Sequence, residues 1–231
     1  MTWRELGFES DRCHLYNDIM NQKSLSPLAA PSEPAAVHAS QLFDRFGIHA
    51  GGPWTEDALR MLEEASSQFF GMAPQNGHLW AWAESLTLRL EDIVQGGLTS
   101  KNLVRLNPKY LTTWTIVHEL AHAWDAANGW RLSAWLARIT GSQFNYPLFH
   151  RLFPNNQRFW YAVGNPPPPC GVDAHFNRLE DFAESVTAYL FPEEARKRAD
   201  ERGWGYDRFG FSQFRDTLRG RAIDQLVHQR Q

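Results

Sequence analysis

His118, Glu119 and His122 stand in the order H-E-x-x-H within the stretch TIVHELAHAWD. On a helix, two imidazoles four residues apart project from the same face, because a turn takes 3.6 residues. Imidazole nitrogens at that spacing suit a zinc ion, which in hydrolytic sites takes three protein ligands and leaves one position for water. A carboxylate beside the first ligand leans towards that water, where it can take a proton and later pass it to a leaving group. With 9 histidines and 14 glutamates in the chain, such a match arises by chance with a probability of roughly 2%, so accident is a poor explanation. The surroundings point the same way. Trp114, Ile116, Val117, Leu120, Ala121 and Trp124 make the helix apolar over most of its surface, and burying polar side chains there without a partner is costly.

The third ligand lies elsewhere in the chain. The extended form H-E-x-x-H-x-x-G-x-x-H is absent, because Asp125 stands at the glycine position and Asn128 at the last histidine position. Glu180, Glu184, Asp173 and His175 are the candidates. Glu180 and Glu184 sit four apart in EDFAE, so one can ligate while the other supports. The apolar centre of that segment, Phe182-Ala183, suits packing against the motif helix.

HELAHAWD and EDFAE together resemble the gluzincin metallopeptidases, most closely the anthrax lethal factor-like group. The likeness covers residues 113–128 and 177–191 and does not extend to the first hundred residues. It implies that His118, His122 and Glu180 bind zinc and that Glu119 is the general base. It also implies that Glu184 accepts a hydrogen bond from a ligand imidazole, and that Asp125 has a structural role near His122. The group carries a tyrosine seven residues before the ligand glutamate, which helps to stabilise the oxyanion. Asp173 occupies that position here. A replacement donor would come from Tyr161, Tyr146 or His175, with Tyr161 and His175 the preferred pair.

These groups need elements to hold them. The motif helix is expected from about Thr113 to about Ala127, with Gly129 past its end. The Glu180 helix is expected from Asn177, a suitable N-cap, to Pro192. The sequence WTEDALRMLEEASSQFFG (54–71) predicts a scaffold helix with Thr55 as N-cap, and AVHASQLFDRFGI predicts a shorter one closed by GGP (51–53). RLSAWLARITG (131–141) and 212–229 predict two more, the last with Phe214, Leu218, Ala222 and Leu226 on its apolar face. Strands are expected in SLTLRLED and KNLVRLNP, with a third candidate in HLWAWA (78–83) and a turn at QGG (95–97). Residues 142–177 read as a long functional loop stiffened by Pro166–Pro169. Docking of a proline-binding partner on that run is the weaker alternative.

The expected fold is α+β and zincin-like. A small, mostly antiparallel sheet packs on the H-E-x-x-H helix, with the Glu180 helix closing the site and further helices around it. Residues 1–36 read as an irregular lead-in and Pro/Ala-rich linker, and 37–231 as one domain. A hydrophobic content of 43% with 21% charged residues supports a globular chain. Ten tryptophans, among them Trp114, Trp124, Trp130 and Trp135 around the motif, are read mainly as core. A net charge of −3 gives no electrostatic reason to expect nucleic acid or an anionic membrane. Two cysteines, Cys13 and Cys170, make neither a disulfide framework nor a C-x-x-C metal site. The N-terminal residues lack the apolar core of a secretory leader, and no apolar run reaches the ~20 residues of a membrane span. A cytoplasmic location is expected, with leaderless export left open. The expected activity is zinc-dependent endopeptidase action on a peptide or protein, paired as an extra strand with the sheet edge at 85–92 or 101–107. A zinc hydrolase acting on a non-peptide bond and a non-catalytic binding protein are the rival readings. Oligomeric state is left open.

Overall fold

The computed structural model describes residues 33–72, 81–82, 85–141, 166–169, 177–203 and 205–228. Its first element, α1 (Glu33–Phe46), is followed through Gly47 by a short strand, β1 (Ile48–Gly51). The helix thus starts four residues before the expected boundary of the lead-in and stops ahead of GGP. Helix α2 (Glu56–Phe70) matches the prediction closely, with the Thr55 side chain accepting a hydrogen bond from the Ala58 amide. Such a cap satisfies one of the amides that a helix start leaves without a partner. Leu59, Leu62, Ala65, Ser66, Phe69 and Phe70 form its buried face.

Three more strands follow: β2 (Leu86–Leu90), β3 (Gly97–Ser100) and β4 (Leu103–Leu106). The sheet order is β1-β2-β4-β3. Strands β1 and β2 pair in parallel, as do β2 and β4, and only β3 and β4 are antiparallel. The sheet is therefore mixed, contrary to the mostly antiparallel expectation. The cause is topological. Helix α2 lies between β1 and β2 in the chain, so the chain can return to lay β2 beside β1 in the same direction. The segment QGG is no simple turn, because Gly97 opens β3. Strand β3 turns through Lys101, whose φ of 51° is left-handed, into β4. This order also places β2 and β4 inside the sheet, so among the described residues the edge strands are β1 and β3 rather than 85–92 or 101–107. Of the third strand candidate, Ala81 and Trp82 are described. Neither is in a strand, and Trp82 is a core residue stacked 6.0 Å from Phe69.

One face of the sheet is apolar. Ile48, Leu86, Leu88, Leu90, Val104 and Leu106 are buried in one core with residues of α2 and of α3 (Thr113–Ala127). Arg89 and Arg105 alternate with them and approach Glu91 instead, so Arg105 serves the sheet's polar face. Helix α4 (Arg131–Thr140) follows α3 directly. Then come α5 (Arg178–Leu190), α6 (Pro192–Glu201) and α7 (Leu218–His228). Pro192 ends α5 as predicted and, lacking an N–H, also opens α6. Pro166–Pro169 are buried, which suits a rigid packed segment and not an exposed docking motif. No helix among the described residues is long and apolar enough to cross a membrane.

Candidate metal centre

Helix α3 carries the motif, and its start and end are defined by local chemistry. The Thr112 hydroxyl accepts from the Thr115 amide at 3.0 Å. At the other end Gly129 and Trp130 both have left-handed φ values, 64° and 60°, which turn the chain sharply into α4. Trp130 offers α4 no side-chain cap. Asp125 takes that role from the neighbouring helix, its Oδ1 accepting from the amides of Leu132 (2.9 Å) and Ser133 (3.2 Å). Its structural role is thus to fix α4 onto α3. Burial raises the Asp125 carboxyl above its ordinary range, offset in part by those bonds and by nearby His122.

Helix α5 lies across α3. Phe182 and Ala183 are fully buried, and the Phe182 ring lies 5.5 Å from that of Trp124. This packing brings the start of α5 over the two histidines. His118 Nε2 lies 3.1 Å from Glu180 Oε2, and His122 Nε2 lies 3.4 Å from Glu180 Oε1. The two Nε2 atoms are 3.2 Å apart. One ligand atom from each of His118, His122 and Glu180 thus falls within a 4.8 Å cluster. His118 Nδ1 faces Glu184 Oε2 at 3.1 Å, and the Trp114 indole donates to that same oxygen at 3.2 Å.

The donor set fits a divalent cation. With the His118 Nδ1 hydrogen donated to Glu184, a neutral ring has its Nε2 lone pair aimed at the other donors. Two imidazole nitrogens and a carboxylate then converge on one point, an arrangement that a metal ion stabilises. Burial alone would lower the His118 pKa, but hydrogen bonds and charge from Glu180 and Glu184 raise it well above the ordinary value. Glu180 shows the counterpart: burial would raise its carboxyl, but bonding to both imidazoles and their charge hold it far below the usual range.

Glu119 is 5% exposed and yet lines the cavity over the cluster. Its Oε2 accepts from Thr99 Oγ1 on β3 at 2.6 Å, and the same hydroxyl reaches its backbone carbonyl at 3.2 Å. Gly97 lies directly beneath: a Cβ there would collide with Oε1, Cδ and Cγ of Glu119. The cavity, of about 630 Å³, is bounded by Gln95–Gly97, by α3, by Pro169, by α5 and by one face of α6.

The structure therefore brings together His118, His122, Glu180, Glu119 and Glu184. Tyr161, Tyr146, His175 and Asp173 lie outside the described residues. Three elements of the site escaped the sequence reading: Gly97, Thr99 and the α6 wall. Gly97 and Thr99 alternate along a strand, a weak signal in a segment of four residues. Among the remaining described histidines, His38 lies between Glu56 and Glu63, His49 stacks on Phe43, and His228 bonds to its own helix. Comparison with protein-family models, curated proteins and solved structures found no match for the chain.

Proposed function

We propose that the chain is a zinc-dependent endopeptidase of zincin-like fold, with His118, His122 and Glu180 as ligands and Glu119 as general base. The observation that carries this reading is the three-donor cluster opening into a cavity that also holds a buried carboxylate from the same helix. Zinc bound there would act as a Lewis acid and bring the pKa of a water molecule towards neutrality. The chain's own residues do the rest. Glu184 fixes the tautomer and orientation of His118, with Trp114 holding the shared oxygen. Thr99 holds one oxygen of Glu119, which aims the carboxylate at the proton it is to take. An extended peptide paired with β3, an edge strand among the described residues, would lie alongside Gly97 and Glu119.

Metal analysis tests the ligand set. The expected stoichiometry is about one zinc per chain in the wild type, lost in His118→Ala, His122→Ala and Glu180→Ala. Saturating zinc at about 1,000 times its dissociation constant should stabilise the fold by about 4 kcal/mol, a rise in melting temperature of roughly 8–16 °C for a domain of this size. Full zinc retention in Glu180→Ala would remove Glu180 from the ligand set. Gly97→Ala tests the seat of the base. The added methyl displaces the Glu119 carboxylate, so hydrolysis should fall by about 10²-fold while zinc content stays at the wild-type level. An unchanged rate would mean that this carboxylate position is not used in turnover.

A further inference from the structure

The face that α6 turns to the cavity carries Glu194, Arg198 and Glu201, with Arg202 following, while Ala195 and Ala199 are buried in the core. Arg198 is the member tied to the metal centre. Its guanidinium carbon lies 4.2 Å over the Trp114 ring, and Trp114 bonds through Glu184 to His118. The Arg198 Nε donates to Glu194 at 2.8 Å. Among the described residues its Nη groups make no hydrogen bond, and the side chain is 36% exposed. A guanidinium held against an aromatic ring and anchored through Nε is pre-organised, so it loses little freedom on taking a planar two-oxygen partner. The charges on the wall set its preference. Glu194 already accepts from Arg198, and Glu201 and Arg202, opposite in sign, are both exposed, where solvent and salt screen them.

We infer that Arg198 forms a carboxylate-binding subsite of this cavity, selecting substrates that present a carboxylate beside the bond to be cut. This rests on reading the cavity as a peptidase site. The carboxylate comes from an aspartate or glutamate side chain, or from the substrate's own C-terminus.

The test uses zinc-loaded protein and peptides matched in pairs: Asp or Glu against Asn or Gln, and a free C-terminal acid against its amide. Wild type should favour the carboxylate member of one pair by about 10- to 100-fold in kcat/KM, the range of a charge-assisted pair. Arg198→Met should bring that ratio to within about two-fold of unity. Arg198→Lys, which keeps the charge without the fork, should restore part of it. The pair that responds identifies the source of the carboxylate. The ratio separates binding from a merely structural role, since a loosened fold slows both members of a pair alike. The same pairs titrated into zinc-loaded Glu119→Gln, with and without Arg198→Met, read binding without turnover. If wild type cleaves no peptide, the peptidase reading fails, while an affinity ratio that depends on Arg198 still supports the subsite. A wild-type ratio near unity in both assays, or a ratio unchanged in Arg198→Met, overturns it.

Discussion

Glu119→Gln is expected to keep its zinc and lose nearly all hydrolysis, with kcat lower by about 10²- to 10⁴-fold, the usual worth of a positioned general base. The substitution is close to isosteric. A glutamine side-chain oxygen can still accept from Thr99, so the 2.6 Å contact that positions the carboxylate has a substitute. The helix and the three-donor cluster are undisturbed, because Glu119 is not among the converging ligand atoms. What disappears is the ability to accept a proton. Paired measurements of turnover and zinc content on the same preparation distinguish the outcomes. Wild-type turnover in Glu119→Gln would remove the base from the mechanism. Zinc lost together with activity would instead make Glu119 a ligand.

The candidate site was legible in the sequence where it is local. An H-E-x-x-H spacing, Thr55 and Asn177 as caps, and Phe182-Ala183 between two glutamates each depend on a few adjacent residues. These sufficed to place α3 and α5 and to narrow the third ligand to a few candidates, among which the resemblance pointed to Glu180. The sheet was less legible because pairing direction is not a local property. Leu86, Leu88 and Leu90 alternate in the same way whether β2 lies parallel or antiparallel to its neighbours. Strand β1, four residues with a single buried position, is too short to show a period, and the glycines at the start of β3 read as a turn. The α6 wall was hidden by composition: PEEARKRADE has only Ala195 and Ala199 buried, and apart from Pro192 its other residues are charged.

The start of α7 shows the same limit in energetic form. Leu218 was expected on its apolar face, but the fully buried side chain there is Arg219. Its guanidinium grips Asp181 in a two-bond pair, Nε to Oδ1 at 2.7 Å and Nη2 to Oδ2 at 3.0 Å. It also donates to the Pro166 carbonyl at 3.3 Å. Asp181 adjoins Glu180, so this pair ties the first turn of α5 to α7 and to the proline segment whose Pro169 lines the cavity.

Removing one partner leaves a buried charge without its counter-ion. Arg219→Met is therefore expected to cost about 3–5 kcal/mol, a fall in melting temperature of roughly 6–20 °C, measurable by urea titration and thermal melts. Replacing both partners with apolar groups of similar volume removes the charge as well as the bond. Asp181→Leu combined with Arg219→Met should thus be more stable than Arg219→Met alone. Zinc affinity provides the functional readout. If the pair positions Glu180, affinity falls in Arg219→Met even under conditions where the variant is folded. The double variant, though restored in stability, should not recover it in full. Equal losses of stability in the single and double variants would show that lost packing, and not an uncompensated charge, is what the substitution costs.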